Sequence, residues 1–330
     1  MDEKNREELT SLLTILPPVE FCCVYGSTLH PNNHDKSRMI DYILGVHDPV
    51  EWHKQNLEMN RNHYASWMAY LGGAKLITGV ADGIGVGVHF NPFVSWNNKT
   101  FKYGVVRMHD LLEDIQHWER FYLSGRLQKP VNVLVDSLDV KNLNSFNLRA
   151  ATSAALLLSP SKFTEEDLYA KICNLSYKGD MRMLFAEDRH KVNKIVQGQF
   201  DLFRRIYKPV LEEFASKDLL KFSSLCSHQE KITQDCGLPA LQTLVSRLPR
   251  GVKGHMSIKL EGQRKMNPGQ VKEFGINSRA EAANSVEKIL RRKVMVSSVR
   301  QAVSGVLTVG AARATRYLAN KMHKAWKSWH

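Results

Sequence analysis

The chain has 330 residues, 43% of them hydrophobic and 24% charged, proportions that suit a globular protein with room for one large core or two ordinary ones and that exclude wholesale disorder. Its 46 Lys and Arg outweigh 33 Asp and Glu, for a formal charge of +13, so some face attracts anions: nucleic acid, acidic lipid or a triphosphate. Five cysteines, Cys22, Cys23, Cys173, Cys226 and Cys236, fall into no Cys-x-x-Cys pattern, which argues against a zinc site or disulfide framework and for reduced, mostly buried thiols in an intracellular compartment.

The N-terminal stretch is acidic before it is apolar and is read as neither a secretory signal nor a basic presequence. Glu7 to Leu16 has helical spacing and ends at Pro17 and Pro18. VEFCCVYGS then reads as a buried strand running into a Gly-Ser turn, a polar loop covers Thr28 to Arg38, and MIDYILGV forms a second strand stopped at His47 to Pro49. The spacing from Trp52 to Leu71 predicts one helix closed by Gly72 and Gly73. Three strands are expected next, at Lys75 to Val80, Gly85 to Phe90 and Lys102 to Arg107. Gly83, Gly85 and Gly87 alternate, which signals either a ligand or close backbone packing. Asp110 to Leu123 reads as a helix and Leu127 to Val135 as a further strand.

From Asn144 the texture becomes helical, with Thr164 and Asp167 forming a capping box and helices continuing through Lys191 to Phe214. Lys217 to Gly275 lacks a long periodic stretch and reads as a linker or partly ordered loop. Helix resumes at Arg279. From Val286 to His330 ten Lys and Arg stand against the single acid Glu287, so the positive charge is concentrated in a tail. In that tail Leu318, Met322, Ala325, Trp326 and Trp329 share one helical face, with Arg313, Arg316, Lys324 and Lys327 opposite. Such a helix suits an anionic membrane surface, a partner protein or its own domain. No apolar run reaches the ~20 residues of a bilayer span, so no transmembrane segment is expected.

The pattern that carries chemistry is strand, Gly26-Ser27, polar loop, then Asp41 within the adjacent strand. A glycine-hydroxyl turn brings N–H groups to a triphosphate without obstruction, and a neighbouring carboxylate can hold Mg2+ against the phosphate oxygens. By itself this pattern recurs in many unrelated proteins.

The strings VYGSTLHPNN, MIDYILGVHDPVEWHKQN, LGGAKLITGV, GVGVHFNPF, KYGVV, FYLSGRLQKPV and FTEEDLYAKICNLSYKGDMRM, in this order, resemble the mitochondrial translocator assembly and maintenance family, whose members are CDP-diacylglycerol synthases, in a plant-like form. The resemblance implies an α+β chain: a nucleotidyltransferase-like mixed-sheet domain at 1–140, a helical winged-helix-like domain at 141–216, the linker at 217–278, and a basic amphipathic, membrane-associating helical region at 279–330. It implies Mg2+ as cofactor, CTP and phosphatidic acid as substrates, and a peripheral site on the matrix side of the inner mitochondrial membrane, with cardiolipin and phosphatidylglycerol as the downstream lipids. Gly26 and Ser27 match the family's nucleotide-binding turn and Asp41 its metal-binding carboxylate. The superfamily's second strand carboxylate is replaced here by Ile43, so Asp48 becomes the candidate second metal ligand, with a turn role as its alternative. His89 either faces the same cleft or is a half-buried strand histidine. Lys102, Arg126 and Lys129 are the expected catalytic cations, with Lys75 and Arg182 on the nucleotide. No covalent intermediate is expected, since a phosphate monoester brings its own anionic nucleophile. A nucleotidyltransferase with an RNA or soluble acceptor, and a non-enzymatic membrane scaffold, are the competing readings. The body shows no basic platform interleaved with aromatics, so nucleic acid is not the expected partner.

Overall fold

A computed structural model describes residues 3–26, 39–181, 190–223, 231–263 and 278–309. Helix α1 (Glu3–Thr10) runs through a 3-10 turn and stops at Pro17, burying Leu9, Leu12 and Leu16 beneath a sheet. Strand β1 (Phe21–Tyr25) pairs antiparallel with β2 (Ile40–Val46), placing Tyr25 opposite Asp41. Asp48 then caps α2 (Pro49–Met59), with Pro49 in the first turn, where its missing N–H is harmless.

The single helix expected over Trp52 to Leu71 is broken. Asn60 leaves helical geometry and donates to the Ile15 carbonyl and Asn56 Oδ1, a 3-10 turn follows at Arg61–His63, and α3 occupies Ser66–Leu71. The strand expected at Lys75 to Val80 is a helix, α4 (Gly73–Gly79), continued by a π turn at Val80–Ile84. Ile77 and Val80 are three apart and both pack on Tyr64 and Met68, so the spacing that decides is helical rather than alternating.

Strands β3 (Val88–Trp96) and β4 (Lys99–Arg107) form a hairpin whose turn residues Asn97 and Asn98 both have positive φ, the conformation a tight hairpin needs. After α5 (Met108–His117) and the short α6 (Ser124–Leu127), β5 (Asn132–Asp136) pairs with β1. The five strands lie in the order β3-β4-β2-β1-β5, mixed because β2 and β4 run parallel. One sheet face, with Val24, Tyr42, Leu44, Phe101 and Tyr103, is buried under α1 and α2. The other carries Phe21, Cys23, Ile43, Val88 and Val106 against α5.

A second core is built by α7 (Val140–Leu157), β6 (Lys162–Thr164), α8 (Glu165–Leu175), α9 (Lys191–Gly198) and α10 (Phe200–Ala215). The expected capping box is present: Thr164 Oγ1 accepts from the Asp167 N–H, and Asp167 accepts from the Thr164 N–H. The stretch read as a linker contributes β7 (Leu220–Ser223), β8 (Lys231–Gln234), α11 (Leu238–Ser246) and α12 (Arg250–Gln263). Strands β6, β8 and β7 make a three-stranded antiparallel sheet, and Ile232, Leu241, Leu244 and Val252 join the helical core. Each of these elements supplies only a few apolar residues to the core, which is why no long period announces them.

Helix α13 (Arg279–Val309) joins the two parts. Val286, Leu290 and Val294 sit in the helical core, Ser297 Oγ donates to the Arg120 carbonyl, and the Arg300 guanidinium donates to the carbonyls of Gly83 and Ile84. Ser304 Oγ lies 3.1 Å from where a Cβ on Gly85 would stand, and the Arg120 guanidinium fills the place of one on Gly87. Two of the alternating glycines thus serve close packing against Arg120 and α13. The tail from 310 onward, with its two tryptophans, lies outside the described residues, as does Cys226. Cys22, Cys23 and Cys173 are free and buried and Cys236 is free and exposed. Among the described residues no helix is long and apolar enough to cross a membrane.

Candidate active site

The ends of β1, β2 and β4 bring three predicted residues together on the sheet face turned away from α1 and α2. Antiparallel pairing sets Asp41 across from Tyr25, and parallel pairing sets Lys102 beside Asp41. Lys102 Nζ stands 3.7 Å from Asp41 Oδ1, both side chains are about one quarter exposed, and the ammonium lies 4.4 Å from the centre of the Phe90 ring. Gly26 turns the chain at φ +99, and a Cβ there would come within 3.2 Å of Asp41 Oδ2. A larger residue would be strained and would crowd the carboxylate. The two oxygens of Asp41 therefore face a half-open space rather than a closed protein cage.

Arg126 closes one side of this space. Its guanidinium is 4.8 Å from the Tyr25 ring centre and 4.7 Å from that of Tyr122, and it donates to the Tyr122 hydroxyl at 2.9 Å. Burial works against its charge, but Tyr122, Tyr25 and Asp41 together outweigh that and raise its pKa, so the cation is fixed. Burial, opposed by Arg126, raises the Tyr25 pKa and keeps the phenol neutral. Tyr25 Oη and Arg126 Nε are both buried without a hydrogen-bond partner among the described residues. Each is a valence that a bound water or ligand can fill.

The loop that presents Tyr122 and Arg126 is held by Asp114, which is 4% exposed. Its carboxylate accepts from the N–H groups of Arg120, Phe121, Tyr122, Leu123 and Ser124 and from Ser124 Oγ. Beyond α6, Lys129 Nζ reaches the second core, donating to Ser176 Oγ at 2.7 Å and to the Gly125 carbonyl and lying 5.2 Å from the Tyr177 ring centre. A small cavity of about 50 Å³ lies where Arg126, Lys129, Tyr177 and Asp180 meet Ser297 and Ser298 of α13.

Other predicted residues are elsewhere. Asp48 stands beyond the far end of β2, more than ~15 Å from Asp41 at ~3.3 Å per strand residue, and its Oδ1 accepts from the N–H groups of Val50 and Glu51. It is a helix cap, and the turn alternative is the observed one. Lys75 is exposed on α4, which packs on α2 behind the sheet rather than on the Asp41 side. His89 is buried on the opposite face, packed edge-on against His53, so the cleft reading of this residue gives way to the structural one. Ser27 and Arg182 lie outside the described residues. Sequence reasoning missed Tyr25, Tyr122 and Asp114. Tyr122 stands in the bend before α6 rather than on the helix with Arg126, so no helical spacing announced it, and Asp114 gave no signal because nearly all its partners are backbone groups.

The family model for "Phosphatidate cytidylyltransferase, mitochondrial" matches residues 9–324. The chain belongs to that family. It is 32% identical over 311 residues to the rat protein of that name, covering 92% of this chain and 90% of the relative. Against the zebrafish protein it is 34% identical over 319 residues, covering 93% and 89%. The fission yeast protein is 31% identical over 340 residues, covering 98% and 84%. Both structural parts and the described helix that joins them fall within the family match.

Proposed function

We propose that this chain is a phosphatidate cytidylyltransferase. A phosphate oxygen of phosphatidic acid attacks the α-phosphorus of CTP, the bond from that phosphorus to the bridging β-oxygen breaks, and CDP-diacylglycerol and pyrophosphate result. The observation that carries the reading is the quarter-exposed Asp41 beside the Gly26 turn and Lys102, on the sheet face left clear of α1 and α2.

The residues fit Mg2+ held jointly with substrate. Among the described residues no cluster of three potential ligands stands ready, and Asp41 offers one accessible carboxylate, which suffices for an ion that usually keeps waters and binds substrate phosphates. Asp41 would hold it; when bound, the ion neutralises phosphate oxygens and orients the triphosphate. Lys102 and Arg126 supply positive charge where negative charge builds up on the departing pyrophosphate, and Lys129 extends the cationic surface toward the acceptor. Ser27 and Arg182 belong to the same reading as nucleotide contacts. No base is needed, because the second ionisation of a phosphate monoester falls near pH ~6. The reading extends to a nucleotidyltransferase-like sheet domain, a winged-helix-like second domain supported by the β6-β8-β7 sheet beside its helices, and a peripheral position on the matrix side of the inner mitochondrial membrane.

Purified protein given labelled CTP and phosphatidic acid liposomes is expected to form CDP-diacylglycerol, and the Asp41→Asn variant to form almost none. Equal turnover by both would remove Asp41 from the mechanism, and no turnover by either would return the scaffold reading. Membrane attachment is tested by deleting 310–330, since Val286 to Val294 are core residues that a longer deletion would expose. Binding to cardiolipin-containing vesicles should fall, and unchanged co-sedimentation would remove the tail as anchor.

A further inference from the structure

The three-stranded sheet of the second part has two unlike faces. Across β6, β8 and β7 the register sets Lys162 and Lys221 on either side of Thr233, and Thr164 and Ser223 on either side of Lys231. Side chains alternate along a strand, so these two rows share one face. The row between them, Phe163, Ile232 and Phe222, points the other way, and Phe163 and Ile232 are buried in the helical core with Leu220. The outer rows therefore carry three lysines and three hydroxyls and no aromatic ring.

The charge on this face is uncompensated. Lys162, Lys221 and Lys231 are exposed, and none of them forms an ion pair among the described residues, whereas Lys178, Lys217 and Lys293 are paired with Glu287, Glu213 and Glu119. The carboxylates nearest in sequence are committed elsewhere. Asp167 accepts from the Thr164 N–H and hydroxyl, Glu165 is bound by Arg204, and Asp235 accepts from the Gly237 N–H. At ~4.8 Å between strands and ~3.3 Å per residue along them, the three lysine positions lie within ~10 Å of one another, close to the screening length at physiological salt. They repel one another, and an anionic surface laid against them relieves that repulsion.

The shape selects among anions. Three short antiparallel strands present an array rather than a groove, so the lysines can meet a plane of phosphates together. Single-stranded nucleic acid is held by stacking on aromatic rings as well as by charge, and the rings of this sheet point away from the lysine face. Lysine-bearing faces of this kind gain most from the negative potential of an anionic leaflet.

We propose that the outer face of the β6-β8-β7 sheet is an electrostatic docking face for an anionic bilayer, with Lys162, Lys221 and Lys231 set against headgroup phosphates. The contact is with the membrane surface and lies apart in sequence from the tail, so it fixes how the helical part is oriented toward the bilayer. The inference rests on the cytidylyltransferase reading, in which a substrate that resides in a bilayer brings the chain to that surface.

The full chain is mixed with phosphatidylcholine vesicles that contain phosphatidylglycerol, and bound protein is measured by co-sedimentation. A lysine near an anionic surface is worth roughly fivefold in binding, so Lys162→Gln, Lys221→Gln and Lys231→Gln together are expected to weaken it at least about tenfold. A matched variant, Lys54→Gln, Lys141→Gln and Lys208→Gln, removes the same charge from α2, α7 and α10 and is expected to change binding less than about twofold. Both sets of lysines are exposed, and equal thermal melting shows that the variants are folded. Unchanged binding by the sheet variant, or an equal loss in the matched one, overturns the inference. Loss of binding to an RNA oligomer with vesicle binding kept would give the face to nucleic acid and overturns it too. Turnover of dissolved dioctanoyl phosphatidic acid should stay within about twofold of wild type in the sheet variant; a fall there as large as that on vesicles would place the lysines in the reaction instead of at the membrane. Vesicle binding is scored without turnover, so a wild-type chain that binds through the three lysines and makes no CDP-diacylglycerol leaves the docking face standing and overturns the cytidylyltransferase reading.

Discussion

The five-stranded sheet carries a polar cluster on each face, and the two are built to opposite plans. Behind the sheet, His53 Nδ1 meets the Tyr64 hydroxyl at 2.9 Å, Asn56 donates to Tyr64 and Tyr103, and His63 Nδ1 meets Tyr103 at 2.8 Å. His89 joins them through Asn91, leaving His89 Nδ1 and Asn91 Nδ2 as loose ends. These groups are neutral, mostly buried and largely satisfied by one another, and such a network specifies a packing arrangement. In front, Asp41 and Lys102 are charged and partly exposed, Arg126 is a fixed cation, and open hydrogen-bonding valences point inward. The rear cluster has three histidines and would attract attention in any search for catalytic residues. Its neutral groups bond chiefly to one another beneath α2, which assigns it to the scaffold, and the charged, quarter-exposed pair in front assigns that face to the substrate.

The largest expected effect is at Asp41. Asp41→Asn keeps the volume and removes the charge, and turnover of CTP should fall on the order of 10³-fold, with an unchanged melting temperature. A loss of stability in place of activity would make the front cluster as structural as the rear one. Arg126→Met follows, with an expected loss of about 10²-fold in kcat. Asp114→Asn probes the frame behind Arg126. Since five backbone N–H groups converge on its carboxylate, stability should fall by about 2–4 kcal/mol in urea unfolding, with weaker activity because Tyr122 and Arg126 lose their fixed loop.

The rear cluster should reveal itself by pH instead. Burial pushes the pKa of His89 down to about 4 and that of His63 to about 4, and burial together with His89 lowers that of His53. Unfolded histidines titrate near pH ~6.5, so between that value and about 4 unfolding takes up protons and stability falls as pH falls. Each such histidine contributes a slope of about 1.4 kcal/mol per pH unit inside the window. Urea midpoints measured from pH 7 to pH 5 should show this slope, and His89→Gln should flatten it while leaving the pH dependence of kcat in place. A kcat profile that moved with His89 would join the two faces functionally.

What could be read from the letters was local. The Gly26 turn and Asp41 sit at the end of one strand and within the next, and a strand's alternation also fixes which residues share its face. Which of two faces is open is decided by helices elsewhere in the chain, so His89 could not be assigned from its own strand. Lys75 was lost because a four-letter apolar pattern between glycines fits strand or helix equally until Tyr64 and Met68 arrive to pack on Ile77. The linker assignment failed for a related reason: β7, β8 and α11 are each too short to show a period, glycines and basic residues interrupt α12, and the apolar residues of all four find partners only in a core assembled from α7, α8 and α10. Lys129 was legible as a cation, but its contact with Ser176 spans 47 positions and joins two modules.

The smallest effect belongs to Asp48, just past the end of β2, and it bears most directly on how a carboxylate near a strand should be judged. Asp41 and Asp48 are separated by seven positions, and both suit a metal on chemical type alone. The Oδ1 of Asp48 accepts from two N–H groups at the start of α2, which are among the four that a helix cannot satisfy internally. Asp41 has Lys102 and open space. Asp48→Ala is therefore expected to cost about 1 kcal/mol of stability and to leave CTP turnover and its Mg2+ dependence unchanged; Asp48→Ser should restore most of the lost stability, because a hydroxyl caps a helix nearly as well as a carboxylate. If Asp48→Ser instead kept its stability and lost its Mg2+ response, the ion would be held by the far end of the strand, and the division of labour between the two aspartates would have to be reversed.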